Sequence, residues 1–162
     1  MLRIGLDMDD TINEWYPIYL ERFGQPKTDS EITYNVQNIL IKDKEFWLSL
    51  PVKNVPNFEV TLICTKRVNK KSWTKQWLQE NLHISPPVYQ MYYQHGNKAD
   101  MIKGRCDVFI DDSLRNVKQC LESGMPCLWY KDAKSDSDPT YTIYSLDIEE
   151  IYNKYIENFG PI

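Results

Sequence analysis

Three carboxylates lie within four residues near the start of the chain, directly after a short apolar run. The run Ile4–Leu6 leads into Asp7, Asp9 and Asp10. Carboxylates this close repel one another, and a divalent cation bound among them would relieve that repulsion. Mg²⁺ prefers such hard oxygen ligands, so the sequence predicts a magnesium site at this point of the chain.

Other polar residues follow later apolar runs. Thr65 ends the run "VTLICT", and Asp111 and Asp112 end the run "VFIDD". Lys98 stands at the start of a short helical pattern. In an open parallel sheet, ligands bind beyond the carboxyl ends of the strands, so we expect these side chains to converge there. A cation, an ammonium and a hydroxyl beside carboxylates are suited to a phosphate ester, which one Asp attacks while another transfers protons.

The elements that must position these groups alternate along the chain. Five apolar runs predict strands, and most are unbroken, as expected for a sheet covered by helices on both faces. The predicted strands are Leu2–Leu6, Phe58–Cys64, Val88–Met91, Val108–Ile110 and Cys127–Tyr130. The predicted helices are Asn69–Leu82, Lys98–Lys103, Leu114–Ser123 and a last one from Asp147 to Asn158, with Glu150 completing a capping box. This order predicts an α/β fold with a mainly parallel five-stranded sheet.

One region interrupts this alternation. No strand is predicted between the first two apolar runs, where Trp15, Tyr19 and Phe23 share one helical face. We therefore predict a small helical cap over residues 12–55, inserted into an α/β core formed by residues 1–11 and 56–162.

Composition limits the class of protein. The 162 residues are 42% hydrophobic and 26% charged, which is a globular profile. A net charge of −4 argues against a general nucleic-acid or anionic-membrane surface. The four cysteines form no C-x-x-C pair and are expected to be reduced core residues. With no signal-peptide pattern and no apolar run near the length of a membrane span, we expect a soluble cytoplasmic protein.

These motifs resemble those of the haloacid dehalogenase (HAD) superfamily of phosphohydrolases. "DMDDT" resembles its first motif, D-x-D-x-T, "VTLICT" its second and "VFIDD" its fourth, with Lys98 between them as the third. The resemblance covers residues 4–112 and implies a Rossmann-like core with a C1-type cap.

The resemblance also implies roles for individual residues. Asp7 would be the nucleophile that forms an aspartyl-phosphate, and Asp9 the general acid and base. Thr65 and Lys98 would hold the phosphoryl group, although Lys103 remains an alternative to Lys98. The implied Mg²⁺ ligands are Asp7, Asp9 through its backbone carbonyl, Asp111 and Asp112. Asp10 receives no role and is interpreted as a solvated loop acid, while His83 and His95 show no metal-ligand spacing.

Within the superfamily, "EFWLSLPVKNVPN" and "LICTKR" resemble segments of 5′(3′)-deoxyribonucleotidases. This implies a nucleoside monophosphate as substrate. The candidate pocket residues are Trp15, Tyr16, Lys66 and Arg67. Three alternatives stay open: a phosphatase for another small ester, an end-processing phosphatase on DNA or RNA that uses the basic segment "KRVNKKSWTKQW", and a non-catalytic binding module. The oligomeric state is not predicted.

Overall fold

A computed structural model describes residues 1–92 and 96–162. Within these ranges six strands form one sheet, in the order β3-β2-β1-β4-β5-β6. Every adjacent pair is parallel. The strands are β1 Ile4–Leu6, β2 Val60–Lys66, β3 Val88–Met91, β4 Val108–Asp111, β5 Cys127–Tyr130 and β6 Thr142–Ile143.

Helices connect the first five strands, as the α/β prediction requires, and a loop without a helix joins β5 to β6. The helices of the core are α4 Lys71–Leu82, α5 Ala99–Ile102, α6 Leu114–Glu122 and α7 Ile148–Phe159. Those between β1 and β2 are α1 Tyr16–Phe23, α2 Asp29–Asn38, a 3₁₀ turn Leu40–Lys42 and α3 Lys44–Leu48. The α/β fold with a parallel sheet is therefore confirmed, and it is of the Rossmann-like type. Among the described residues, no helix combines the length and apolar character needed to cross a bilayer.

The strand order contains a switch point at its centre. From β1 the chain winds outward through β2 and β3, then returns to the other side of β1 with β4. Crossover connections leave in opposite directions at such a point and open a crevice beyond the carboxyl ends of the two strands. The crevice between β1 and β4 is therefore the place where the topology favours a ligand.

Alternate residues of each strand enter different cores, because successive side chains point to opposite faces. Leu6 and Ile110 belong to the core under α4 and α7. Phe109 and Cys64 belong to the core under α5 and α6, with the other three cysteines. Gly5 faces this second core, where an added Cβ would lie 2.8 Å from Leu62 Cδ1 and 3.1 Å from Cys106 Sγ and Phe109 Cδ1, so a larger residue would force these side chains to shift.

The structure differs from the prediction at the C-terminal side of the sheet. The strand β6 has only two residues and follows a polar loop, so no apolar run marks it. Asp147 does cap α7 by accepting from the Glu149 N–H. Glu150 does not complete the capping box: its carboxylate accepts from the Tyr144 N–H and the Ser145 hydroxyl.

The helices between β1 and β2 pack around a third apolar cluster. Its buried members are Tyr19, Leu40, Phe46, Trp47 and Leu50. Trp77 of α4 donates its indole N–H to the Leu50 carbonyl at 2.8 Å, which ties this cluster to the core. The boundary of a cap at residues 12–55 stays a prediction.

Candidate active site

Asp7 and Asp111 lie next to each other because of the register between β1 and β4. Leu6 of β1 pairs with Ile110 of β4, and the Asp7 N–H donates to the Ile110 carbonyl at 2.9 Å. Asp111 is the last residue of β4. Asp7 and Asp111 therefore stand side by side at the switch point, and both are buried.

Lys98 joins these two acids. Its ammonium donates to Asp7 Oδ1 at 2.6 Å and to Asp111 Oδ2 at 2.9 Å, and the residue is only 1% exposed. Burial lowers the pKa of Lys98, but Asp111 and Asp7 outweigh burial and hold it well above its usual value. The alternative, Lys103, instead donates to the Ser123 carbonyl. The structure thus brings Lys98, and not Lys103, to the acids.

A third acid completes the group. Asp7, Asp111 and Asp112 each offer a carboxylate oxygen, and these oxygens all lie within 4.8 Å of one another. The Thr11 hydroxyl lies between two of them, 3.2 Å from Asp112 Oδ1 and 3.4 Å from Asp7 Oδ2. Burial and the charge on Asp111 raise the pKa of Asp7 to about 7 despite Lys98. Burial, with Asp7 and Asp111, raises the pKa of Asp112 well above its usual range.

This donor set fits a divalent cation. When the three acids are ionised, the Lys98 ammonium balances only one of three negative charges. The excess negative charge helps to raise the pKa values of Asp7 and Asp112, and a bound cation would balance that charge. Carboxylate oxygens are suitable ligands for Mg²⁺, although they do not distinguish it from other hard cations.

The Asp9 carboxylate pairs with Arg67 instead of Lys98. Arg67, which follows β2, donates from Nη2 to Asp9 Oδ1 at 2.6 Å and from Nε to Asp9 Oδ2 at 2.9 Å. Asn13 adds a third hydrogen bond, from Nδ2 to Asp9 Oδ1 at 3.0 Å. The sequence predicted Arg67 as a pocket residue, and the structure places it against the second acid.

Arg67 is itself held from behind. Its Nη1 donates to the Thr74 hydroxyl at 3.0 Å, and that hydroxyl donates to Gln90 Oε1 at 3.0 Å. The Trp47 ring lies 4.7 Å from the centre of the guanidinium, as in a cation–π contact. These contacts fix the Arg67 fork on the core side of the site.

The remaining predicted site residues, Thr65 and Lys66, are the last two residues of β2. Thr65 is buried at the end of β2 and lines the cavity beside Asp7. Lys66 donates to Asn116 Oδ1 at 2.8 Å, and Asn116 Nδ2 donates to Asp111 Oδ2 at 3.1 Å. Burial and nearby Lys98 lower the pKa of Lys66.

A cavity of about 840 Å³ opens over these groups. Its floor includes Asp7, Asp9, Thr65 and Lys98, and one face of α2 forms the opposite wall. The α2 residues in this wall are Asp29, Ser30, Ile32, Thr33, Val36 and Gln37. Of the two aromatic residues predicted for the pocket, Trp15 lines the cavity. Tyr16 instead packs on Trp15 and Tyr19, with ring centroids 6.2 Å from each, outside the set of described lining residues.

Asp10 is not the solvated loop acid that the sequence suggested. It adopts a left-handed conformation with φ of 63°, and its Oδ1 accepts from the N–H groups of Trp15 and Tyr16 at 2.9 and 3.0 Å. It therefore anchors the start of α1, and burial raises its pKa. His83 ends α4, away from the acids, and His95 lies outside the described residues.

Sequence reasoning assigned no role to the polar residues that support the acids. Thr11 and Asn13 each lie four residues after the acid that they contact, a spacing that could have indicated them. Asn116 lies five residues after Asp111, in the first turn of α6. For Trp47, no local signal connects its ring with Arg67.

Comparison with known proteins adds no assignment. No model of a protein family matches the chain, and no curated protein shows significant similarity to it.

Proposed function

We propose that this protein is a Mg²⁺-dependent phosphomonoester hydrolase of the haloacid dehalogenase type that acts through an aspartyl-phosphate. The observation that carries the proposal is the buried Lys98 bridging Asp7 and Asp111 at the switch point of a parallel sheet. The second acid, Asp9, stands two residues after Asp7 and lines the same cavity. Its presence favours a phosphatase, because protonation of the leaving oxygen requires such a group.

Asp7 is the nucleophile in this proposal. Lys98 holds its Oδ1 at 2.6 Å, which orients the carboxylate in the floor of the cavity. Asp7 attacks phosphorus, an Asp7 O–P bond forms and the ester P–O bond breaks. Mg²⁺ bound among Asp7, Asp111 and Asp112 would supply positive charge against the phosphoryl oxygens. Thr65 and Lys98 donate hydrogen bonds to the phosphoryl group from the same floor.

Asp9 transfers the protons. Its protonated carboxyl gives a proton to the leaving ester oxygen in the first step. Its carboxylate then accepts a proton from the water that attacks phosphorus and releases Asp7. Phosphate and the free alcohol are the products, and Asp9 regains the proton that it gave.

A nucleoside monophosphate is the proposed substrate. The cavity of about 840 Å³ is far larger than a phosphate group needs, so the organic part of the substrate must contact its walls. Trp15 offers a ring for stacking, and Thr33 and Gln37 of α2 offer polar groups for a base or sugar.

Phosphate release from a panel of esters tests this function. The panel contains 5′- and 3′-deoxynucleoside monophosphates, their ribose counterparts, ribose 5-phosphate, an aryl phosphate and a 5′-phosphorylated oligonucleotide, each with Mg²⁺. We expect the mononucleotides to give the highest kcat/KM. Absence of turnover on every ester, with folded protein and Mg²⁺, would support the non-catalytic alternative.

The end-processing alternative depends on a continuous basic surface. Arg67 is buried against Asp9 and Lys66 contacts Asn116, so these two residues belong to the interior of the site. Lys70, Lys71 and Lys75 remain exposed. A polymer substrate bound by these three lysines would show an activity that falls steeply with salt, whereas we expect the weak salt dependence of a mononucleotide.

A further inference from the structure

Arg67 and Asp9 form a two-point ion pair in the cavity. Arg67 and Asp9 both line the cavity, but the Arg67 side chain is only 1% exposed, whereas the Asp9 side chain keeps 20% exposure. Asp9 therefore offers a bound substrate more accessible surface than Arg67 does. A bidentate fork sets the plane and the direction of a carboxylate as well as its distance.

The hydrogen bonds to Asp9 leave one position open. A carboxylate has about four lone-pair sites. Oδ1 accepts from Asn13 and from Arg67 Nη2, and Oδ2 accepts from Arg67 Nε. Among the described residues, these three contacts leave one lone pair, on Oδ2, for a proton or a substrate atom.

We propose that Arg67 is a positioning residue that fixes this open site of Asp9 toward the leaving oxygen. The inference rests on the proposed function, since it assigns a task to the proton-transfer acid. In the first step the proton on Oδ2 passes to the leaving oxygen as the ester P–O bond breaks and the Asp7 O–P bond forms. In the second step Oδ2 accepts the proton of the attacking water as the Asp7 O–P bond breaks.

Arg67 does not bind the substrate phosphate in this assignment. Two of its nitrogens donate to Asp9 and the third to Thr74, and the Trp47 ring lies 4.7 Å from the centre of the guanidinium. The N–H groups on Nε and Nη2 that form the fork are occupied by Asp9, so a phosphate could accept from these two groups only by displacing Asp9. The sequence prediction of Arg67 as a pocket residue is thereby refined to a residue that acts through the acid.

Two substitutions test the role. Arg67→Gln removes the charge and the fork, and Arg67→Lys keeps the charge but loses the bidentate geometry. Arg3→Gln is a matched control, since Arg3 also donates from two nitrogens to one acid, Asp107, but at the start of β1, at the opposite end of the strand from Asp7. Each variant is assayed with Mg²⁺ on an alkyl phosphate and on an activated aryl phosphate, whose leaving oxygen needs little protonation.

We expect the two substrates to respond differently. Arg67→Gln should lower kcat/KM by about 100-fold on the alkyl phosphate and by less than about tenfold on the aryl phosphate. Arg67→Lys should give the same pattern with a smaller loss. Inhibition by inorganic phosphate should change by less than about threefold, because Arg67 does not hold the phosphoryl group. Arg3→Gln should leave both substrates within about twofold of the unmodified protein.

A double substitution separates positioning from stability. With Asp9→Asn already present, Arg67→Lys should add less than about a threefold further loss on the alkyl phosphate, because the acid that it positions is gone. Equal losses on both substrates for Arg67→Lys, accompanied by a lower Tm, would overturn the proposal in favour of a purely structural pair. A tenfold weaker inhibition by phosphate would overturn it in favour of substrate binding. Both results require that the unmodified protein hydrolyses the esters, so they are distinct from failure of the phosphatase assignment itself, in which neither ester is hydrolysed.

Discussion

The two walls of the cavity are built in opposite ways. At the sheet edge, Asp7, Lys98 and Asp111 are almost completely buried, and each contacts the others or a supporting side chain. Across the cavity, α2 contains no buried residue. A group that attacks phosphorus needs fixed geometry, which burial and hydrogen bonds supply. A surface that selects among substrates needs exposed donors, acceptors and apolar atoms, which α2 offers.

The exposed wall is still held at a defined place. Trp47 of α3 donates its indole N–H to the Leu40 carbonyl at 2.8 Å, and its ring lies on Arg67. Trp77 of α4 ties Leu50 to the core. The apolar cluster beneath α1 and α3 therefore supports α2. In the proposed enzyme, the sheet edge carries out the chemistry and α2 contacts the substrate. Changes at the sheet edge should affect all substrates alike, whereas changes at the α2 side should affect only substrates that reach it.

The largest effect is expected from Asp7→Asn. It removes the proposed nucleophile and one negative charge of the acid cluster, so turnover should fall at least about 1,000-fold on every ester. Steady-state kinetics on a nucleotide and an aryl phosphate measure this. Asp136→Asn, at an exposed position of the polar loop before β6, is the control and should keep full activity. Wild-type rates for Asp7→Asn would remove the covalent mechanism.

Removal of the metal should have the next largest effect. Three neighbouring carboxylates and one ammonium leave negative charge that opposes an anionic substrate. Excess chelator should therefore lower turnover at least about 100-fold on all substrates, and added Mg²⁺ should restore it. Ca²⁺ should restore it poorly, because its looser geometry misplaces the nucleophile. Full activity in chelator would contradict the assignment of the acid cluster.

A change at the substrate wall should act selectively. Stacking of a base is worth roughly 1–3 kcal/mol, so a deoxynucleoside monophosphate should exceed ribose 5-phosphate in kcat/KM by at least about tenfold. Trp15→Ala should reduce this ratio and leave an aryl phosphate nearly unchanged. Tyr16→Ala is the matched control, since Tyr16 packs beside Trp15 outside the described cavity lining. If the deoxynucleoside monophosphate and ribose 5-phosphate gave equal kcat/KM in the unmodified protein, the nucleotidase assignment would be rejected and the phosphatase assignment would stand.

The smallest effect concerns the pH dependence of stability. The pKa of Asp7 is about 7 in the folded protein against an ordinary value of 3.8, so the folded state binds the proton more tightly. Metal-free stability should therefore fall as pH rises from about 4 to about 7, and Mg²⁺ should raise Tm more at pH 8 than at pH 6. Thermal unfolding measures both trends. Asp7→Asn should reduce the metal-free slope, to which Asp112 also contributes, and an unchanged slope would assign it to other groups.

The local sequence pattern determined the strands of this protein and the edge of the sheet where the polar residues meet. Mainly apolar runs predicted β1 to β5 within two residues of their observed ends, because strands covered on both faces bury most of their side chains. Polar residues placed directly after those runs predicted which side chains meet, because parallel strands end at one edge of the sheet. The two residues of β6 escaped prediction, because their pairing depends on β5 beside them.

Only the tertiary structure decided how the site residues are divided among tasks. Arg67 and Asp9 lie 58 residues apart in the chain, and their fork forms because β2 runs beside β1 and carries Arg67 past its end. Lys66 donates to Asn116, 50 residues further along the chain, because the fold brings the end of β2 close to the first turn of α6. Asp10 anchors α1 because the chain turns back on itself there. Spacing along a sequence reports which residues share an element, whereas partners on different elements are set by strand register and helix packing, which no local pattern contains.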